Sequence, residues 1–88
     1  MTQTTKEAIN KRFFETLDLL KERRMIYSFA AFCRATGYDP SNLSRLRKNP
    51  TCELPLPLLA HLVERHGVSA DRILTGKGNR FRTDFHSH

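Results

Sequence analysis

The stretch "PSNLSRLRK", Pro40 to Lys48, concentrates residue types that can recognise another molecule through directed hydrogen bonds. Ser41, Asn42, Ser44 and Arg45 stand close together, and Arg47 and Lys48 follow. An arginine fork donates two bonds to guanine O6 and N7, and an asparagine amide pairs two ways with adenine. Serine hydroxyls and the free N–H groups of a helix start suit phosphate oxygens. The two leucines of the stretch, Leu43 and Leu46, order these side chains. With both turned inward, steps of about 100° put Ser41, Ser44, Arg45 and Lys48 on the opposite face and Asn42 at its flank. Arg47 and Lys48 could then hold a flanking phosphate backbone. Such a face is either a solvated surface or a reading surface, and the elements that hold the helix decide between them.

Those elements are short helices with clear stops. Ser28 is a candidate N-cap for "FAAFCRATG", whose Phe29, Phe32, Cys33 and Thr36 share an inner face. Gly37 suits the left-handed conformation that ends a helix. Asp39 can cap the next helix, and Pro40 at its first position has no N–H to leave unpaired. That helix runs to about Lys48, with Asn49 as a left-handed stop. Two helices joined by a short turn containing glycine form a helix-turn-helix arrangement. Cys33 is small enough for a close crossing, Gly37 turns the chain, and Leu43 fills the crossing.

The remaining elements must support this pair. Thr4 and Glu7 have the spacing of a capping box, which starts a first helix near Thr5. Ile9, Phe13, Leu17 and Leu20 give that helix one apolar stripe. "KERRMIY" closes it in a charged, exposed turn. A further helix starts near Pro55 or Pro57, buries Leu58, Leu59, Leu62 and Val63, and stops at Gly67. Ser69 caps a last helix, "ADRILT", with Val68 and Ile73 as a hydrophobic staple and Gly76 as its stop. "KGNRFRTDFHSH" has weak periodicity. Its Phe81 and Phe85 either pack back on the domain, meet a second subunit or do nothing. No run of alternating β-branched residues is present. The expected fold is therefore all-α, with one five-helix domain over residues 1–78 and a flexible C-terminal tail over 79–88.

Composition narrows the partners. The 88 residues carry a net charge of +6, which favours an anionic partner, nucleic acid first. No apolar run approaches the ~20 residues a membrane helix needs, and the N-terminus lacks an apolar signal core. A cytoplasmic protein without a membrane partner is expected. Cys33 and Cys52 lack metal spacing and are expected as free thiols. His61 and His66 do not share one helix face squarely, and His86 and His88 sit in the tail, so neither a metal site nor a cofactor is expected. No Gly-rich phosphate loop, nucleophile elbow or carboxylate pair points to an enzyme. Most of the phenylalanines fall at core positions, which argues against a stacking surface for single-stranded RNA.

Two stretches, "FCRATGYDPSNLSRLRKN" and "GVSADRILTGKG", resemble the phage-repressor or XRE type of helix-turn-helix domain. The resemblance spans roughly residues 8–78. It implies a compact five-helix lambda-repressor-like DNA-binding domain that acts as a dimer on a two-fold-related operator. Carried over by position, Ser41, Asn42, Ser44 and Arg45 match the base-facing part of the recognition helix, and Ser28 and Phe29 match a phosphate-contact point. The chain departs from the family pattern in the loop "PTCELP" and at four single positions. Phe29 replaces a glutamine, Pro40 a polar residue, Arg47 a glutamate and Asn49 a glycine.

The expected function is a sequence-specific DNA-binding transcriptional regulator, a repressor in the first instance. It would read double-stranded DNA in the major groove with residues 40–48, as a homodimer. The expected DNA-binding residues are Ser41, Asn42, Ser44, Arg45, Arg47, Lys48 and Ser28. The alternative is an antitoxin or adaptor that uses the same fold mainly for protein–protein interaction.

Overall fold

Five helices make up the computed structural model, which describes residues 5–82: α1 (Lys6–Glu22), α2 (Phe29–Thr36), α3 (Pro40–Lys48), α4 (Leu56–His66) and α5 (Ala70–Thr75). The fold is all-α. Helix α1 packs on α3 and α5, while α2 packs on α3 and α4. Phe13, Leu17 and Leu20 of α1 are fully buried at the centre, against Phe32 of α2, Leu58 and Leu62 of α4, and Val68 and Ile73 around α5. Ile9 and Val63, expected inside, are half-buried at the margin of this core. No helix among the described residues is long and apolar enough to cross a membrane.

The helix starts follow side-chain chemistry. Thr5, with extended backbone, accepts from the Ala8 amide at 3.2 Å and is the N-cap of α1. The expected cap at Thr4 is thereby displaced by one residue, because Glu7 falls in the first turn beside the positive end of the helix dipole instead of closing a box. Thr4 itself lies outside the described residues. Ser28 caps α2 by accepting from Ala31 N at 3.0 Å, and Ser69 caps α5 by accepting from Arg72 N at 3.3 Å. Asp39 accepts from Ser41 N at 2.7 Å, with Pro40 in the first turn of α3. Helix α4 starts at Leu56 behind Pro55 without a side-chain cap.

The stops hold two departures. Gly37 ends α2 at φ 74°, a left-handed conformation that strains a residue carrying Cβ. Asn49 was expected to do the same for α3, but its φ is −123°. The loop after it is anchored instead. Asn49 Oδ1 accepts from Thr51 Oγ1 at 2.7 Å, and the buried Asn10 amide of α1 donates to Pro50 O at 2.8 Å and Cys52 O at 2.6 Å. At the end of α1 the left-handed residue is Arg24, at φ 62°. Its N–H bonds to Lys21 O at 3.0 Å and the Met25 N–H bonds to Leu20 O at 2.8 Å, the paired pattern that usually takes glycine.

Residues 80–82, expected in a flexible tail, are paired to the domain. Ser69 N–H donates to Arg80 O and Arg82 N–H donates to Gly67 O, both at 2.8 Å, around a single antiparallel pairing of Val68 with Phe81. Phe81 packs against the core, and the Arg23 guanidinium lies 5.6 Å from its ring centre. Residues 80–82 are thus docked on the domain, because a fully buried Val68 needs a cover. Phe85, His86 and His88 lie outside the described residues.

Candidate nucleic-acid interface

The geometry of α3 follows from two leucines. Leu43 and Leu46 are each 4% exposed, and Leu43 sits where α3 crosses the small, buried Cys33 of α2. Ser41, Asn42, Ser44, Arg45 and Lys48 are all exposed. The side chains of Asn42, Arg45 and Lys48 have no hydrogen-bond or ion-pair partner among the described residues. One face of α3 therefore presents two hydroxyls, an amide and two free cations. The last turn of the helix holds three basic residues and its first turn no acidic one. Desolvation is modest here, so a hydrogen-bonding partner would meet groups already pointing to solvent.

Ser28 and Arg47 stand differently from expectation. Ser28 is half-buried, and its oxygen already serves as the α2 cap, which leaves the hydroxyl proton and one lone pair for a partner. Arg47 is engaged within the molecule. Its Nη2 donates to Asp18 Oδ2 of α1 at 2.6 Å. The same guanidinium lies 5.1 Å from the Phe14 ring centre and 5.2 Å from that of Phe29. The side chain expected to hold a phosphate backbone is a brace between α1, α2 and α3. Phe29 is half-buried under this guanidinium and under Lys21 Nζ at 5.0 Å. Phe29, where a phosphate contact was expected from the resemblance, is thus an aromatic platform for two cations.

Sequence reasoning missed Asp18 and Phe14 as the partners of Arg47. The ion pair spans 29 positions, so no local periodicity announces it. Next to it, Glu7, Glu15 and Asp18 line a groove of about 460 Å³ with Lys11 and Arg47. With Arg47 already paired, that groove disfavours an anion and bounds the cationic surface on the α1 side.

The remaining titratable groups lie elsewhere. Burial, with a smaller contribution from Asp39, pushes the Cys33 thiol up, so it stays protonated near neutral pH. His66 is the last residue of α4, and its ring comes to 5.6 Å from that of His61, with which it was expected not to share one helix face squarely. His61 also stacks edge-on against Phe32 at 5.4 Å. Burial lowers the pKa of both imidazoles, and the Arg65 charge adds to it. Among the described residues no group of three or more His, Cys, Asp or Glu side chains is placed to hold a metal ion. In comparisons with known proteins, the chain matches no family model, no curated protein and no solved structure.

Proposed function

We propose that this protein is a sequence-specific double-stranded DNA-binding regulator of transcription, a repressor in the first instance, that reads the major groove with α3. The observation that carries the reading is the division of α3. Its two leucines are buried, and Ser41, Asn42, Ser44, Arg45 and Lys48 are exposed together. Arg45 is the principal base-reading side chain, Asn42 the second, and Lys48 holds phosphate. A homodimer on two half-sites is the matching assembly.

The test is a gel shift with duplex fragments at two salt concentrations. Selective retention of one sequence is expected, and Arg45→Ala should weaken it by about 1–3 kcal/mol while relaxing preference at one base pair. Unchanged affinity and preference in Arg45→Ala would remove α3 from the reading. A second reading, an antitoxin or adaptor, draws on Tyr27 and Leu56, which are 90% and 73% exposed. Weak, uniform DNA binding that vanishes with salt would favour it.

A further inference from the structure

We propose that an apolar cup between α2 and α3 receives the C5-methyl group of a major-groove pyrimidine, a readout that rests on the DNA-binding reading above. The cup has a volume of about 220 Å³ and is lined by Phe29, Ala30 and Cys33 of α2 and by Pro40, Leu43 and Ser44 of α3, together with Phe14 of α1 and Arg47, whose guanidinium is held by Asp18. Cys33 and Leu43 are buried and form its floor, while Ala30, Pro40 and Ser44 are exposed at its rim.

Its position follows from helix periodicity. Pro40 and Ser44 are one turn apart, so they share a side of α3. Ser44 also belongs to the exposed row with Ser41, Arg45 and Lys48, so the cup borders that row directly. Where a polar side chain at position 40 could offer a hydrogen bond, proline offers carbon. The surroundings are cationic. Between residues 28 and 49 the chain carries Arg34, Arg45 and Lys48 against Asp39, with Arg47 paired to Asp18 of α1.

The occupant is therefore an apolar group that arrives with negative charge, beside side chains suited to base edges. On the major-groove edge of a base pair that group is the pyrimidine C5-methyl, carried by thymine. Methylated cytosine carries the same group. The floor makes contact without donating or accepting strongly, because the Cys33 thiol stays neutral.

The experiment starts from sites selected by the full chain out of a random duplex library. Each thymine of the best site is then replaced singly by deoxyuridine, which removes only the methyl, and binding is followed by fluorescence anisotropy. A loss of roughly fourfold is expected at one thymine of each half-site, the worth of one buried methyl. Ala30→Gln and Pro40→Gln put a polar side chain over the cup, and each should erase that difference; circular dichroism checks that they fold. Thymine and 5-methylcytosine compared at that position show which base is the natural carrier, and a site that binds both equally tightly still supports a methyl reader.

Sequence-selective binding that tolerates every deoxyuridine overturns this inference and leaves the DNA reading standing. Deoxyuridine sensitivity that persists unchanged in both variants places the methyl contact elsewhere and also overturns it. Failure to enrich any sequence overturns the DNA reading, and the methyl readout with it.

Discussion

Replacing Arg47 by alanine separates a brace from a phosphate contact. The Arg47–Asp18 pair is partly open, with side chains 42% and 47% exposed, so the ion pair contributes about 0.2–1 kcal/mol. The guanidinium also lies over two aromatic rings, which adds about 1 kcal/mol, since both rings share one cation. Arg47→Ala should then cost about 1–2 kcal/mol in urea unfolding followed by circular dichroism. In a domain of this size that lowers Tm by roughly 4–8 °C for each kcal/mol. Asp18→Asn should lose only the ion-pair part, and the double variant should be less destabilised than the two singles added together. In DNA titrations of folded protein, Arg47→Ala should leave the salt dependence unchanged, because its charge is already neutralised. Lys48→Ala should reduce the slope by about 0.9. An Arg47→Ala protein of parental stability whose salt slope falls by about one unit would refute the brace and restore the phosphate contact.

Three further perturbations follow from the same structure. Arg24→Gly relieves a left-handed non-glycine residue in an exposed turn and should stabilise by about 0.5–1 kcal/mol, read as a higher urea midpoint with an unchanged slope. Asn10→Ala leaves Pro50 O and Cys52 O without their donor and should cost about 2–3 kcal/mol. Asn10→Asp, which turns carboxylate oxygens toward those carbonyls, should cost more at pH 7 than Asn10→Ala, and equal stability of the two would contradict the assigned amide orientation. His61 and His66 have folded pKa values below the ordinary value of 6.5, so the unfolded chain binds protons first as pH falls. Their contribution is present above about pH 6.5 and is lost as pH drops through the depressed folded values. A His61→Gln, His66→Gln double variant should flatten stability against pH in that window, and an unaltered curve would count against it.

What could be read from the sequence was what depends on neighbours in the chain. Ser28, Asp39 and Ser69 cap their helices because a short polar side chain reaches an amide two or three residues ahead. The inward pair Leu43 and Leu46 set the outward face of α3 by periodicity alone. What escaped was decided at long range. Asn49 follows no local rule because Asn10, about forty positions away, fixes the loop beyond it. Arg47 resembled its basic neighbours in composition, yet Asp18 and two phenylalanines claim it. The tail expectation weighed the polarity of residues 79–88, whereas Phe81 lies against the core beside the buried Val68, held by the backbone bonds of Ser69 to Arg80 and of Arg82 to Gly67. Arg24 gave no signal because charge says nothing about φ.

The brace also bears on how the exposed face of α3 is to be probed. Arg47 lies one turn after Leu43 and joins that helix to α1 and, through Phe29, to α2. Leu43 is at once a core residue and part of the cup floor. Substituting either one changes the placement of α3 together with any contact it makes, so loss of binding would carry no assignment. Arg45, Lys48 and Ala30 are exposed and bear little of the packing, and they move contact without moving the helix. A recognition effect seen at these three positions with unchanged unfolding midpoints belongs to the surface; the same effect seen only at Leu43 or Arg47 belongs to the scaffold. That division follows from burial at Leu43 and from the Asp18 and phenylalanine contacts at Arg47, and holds whichever partner α3 meets.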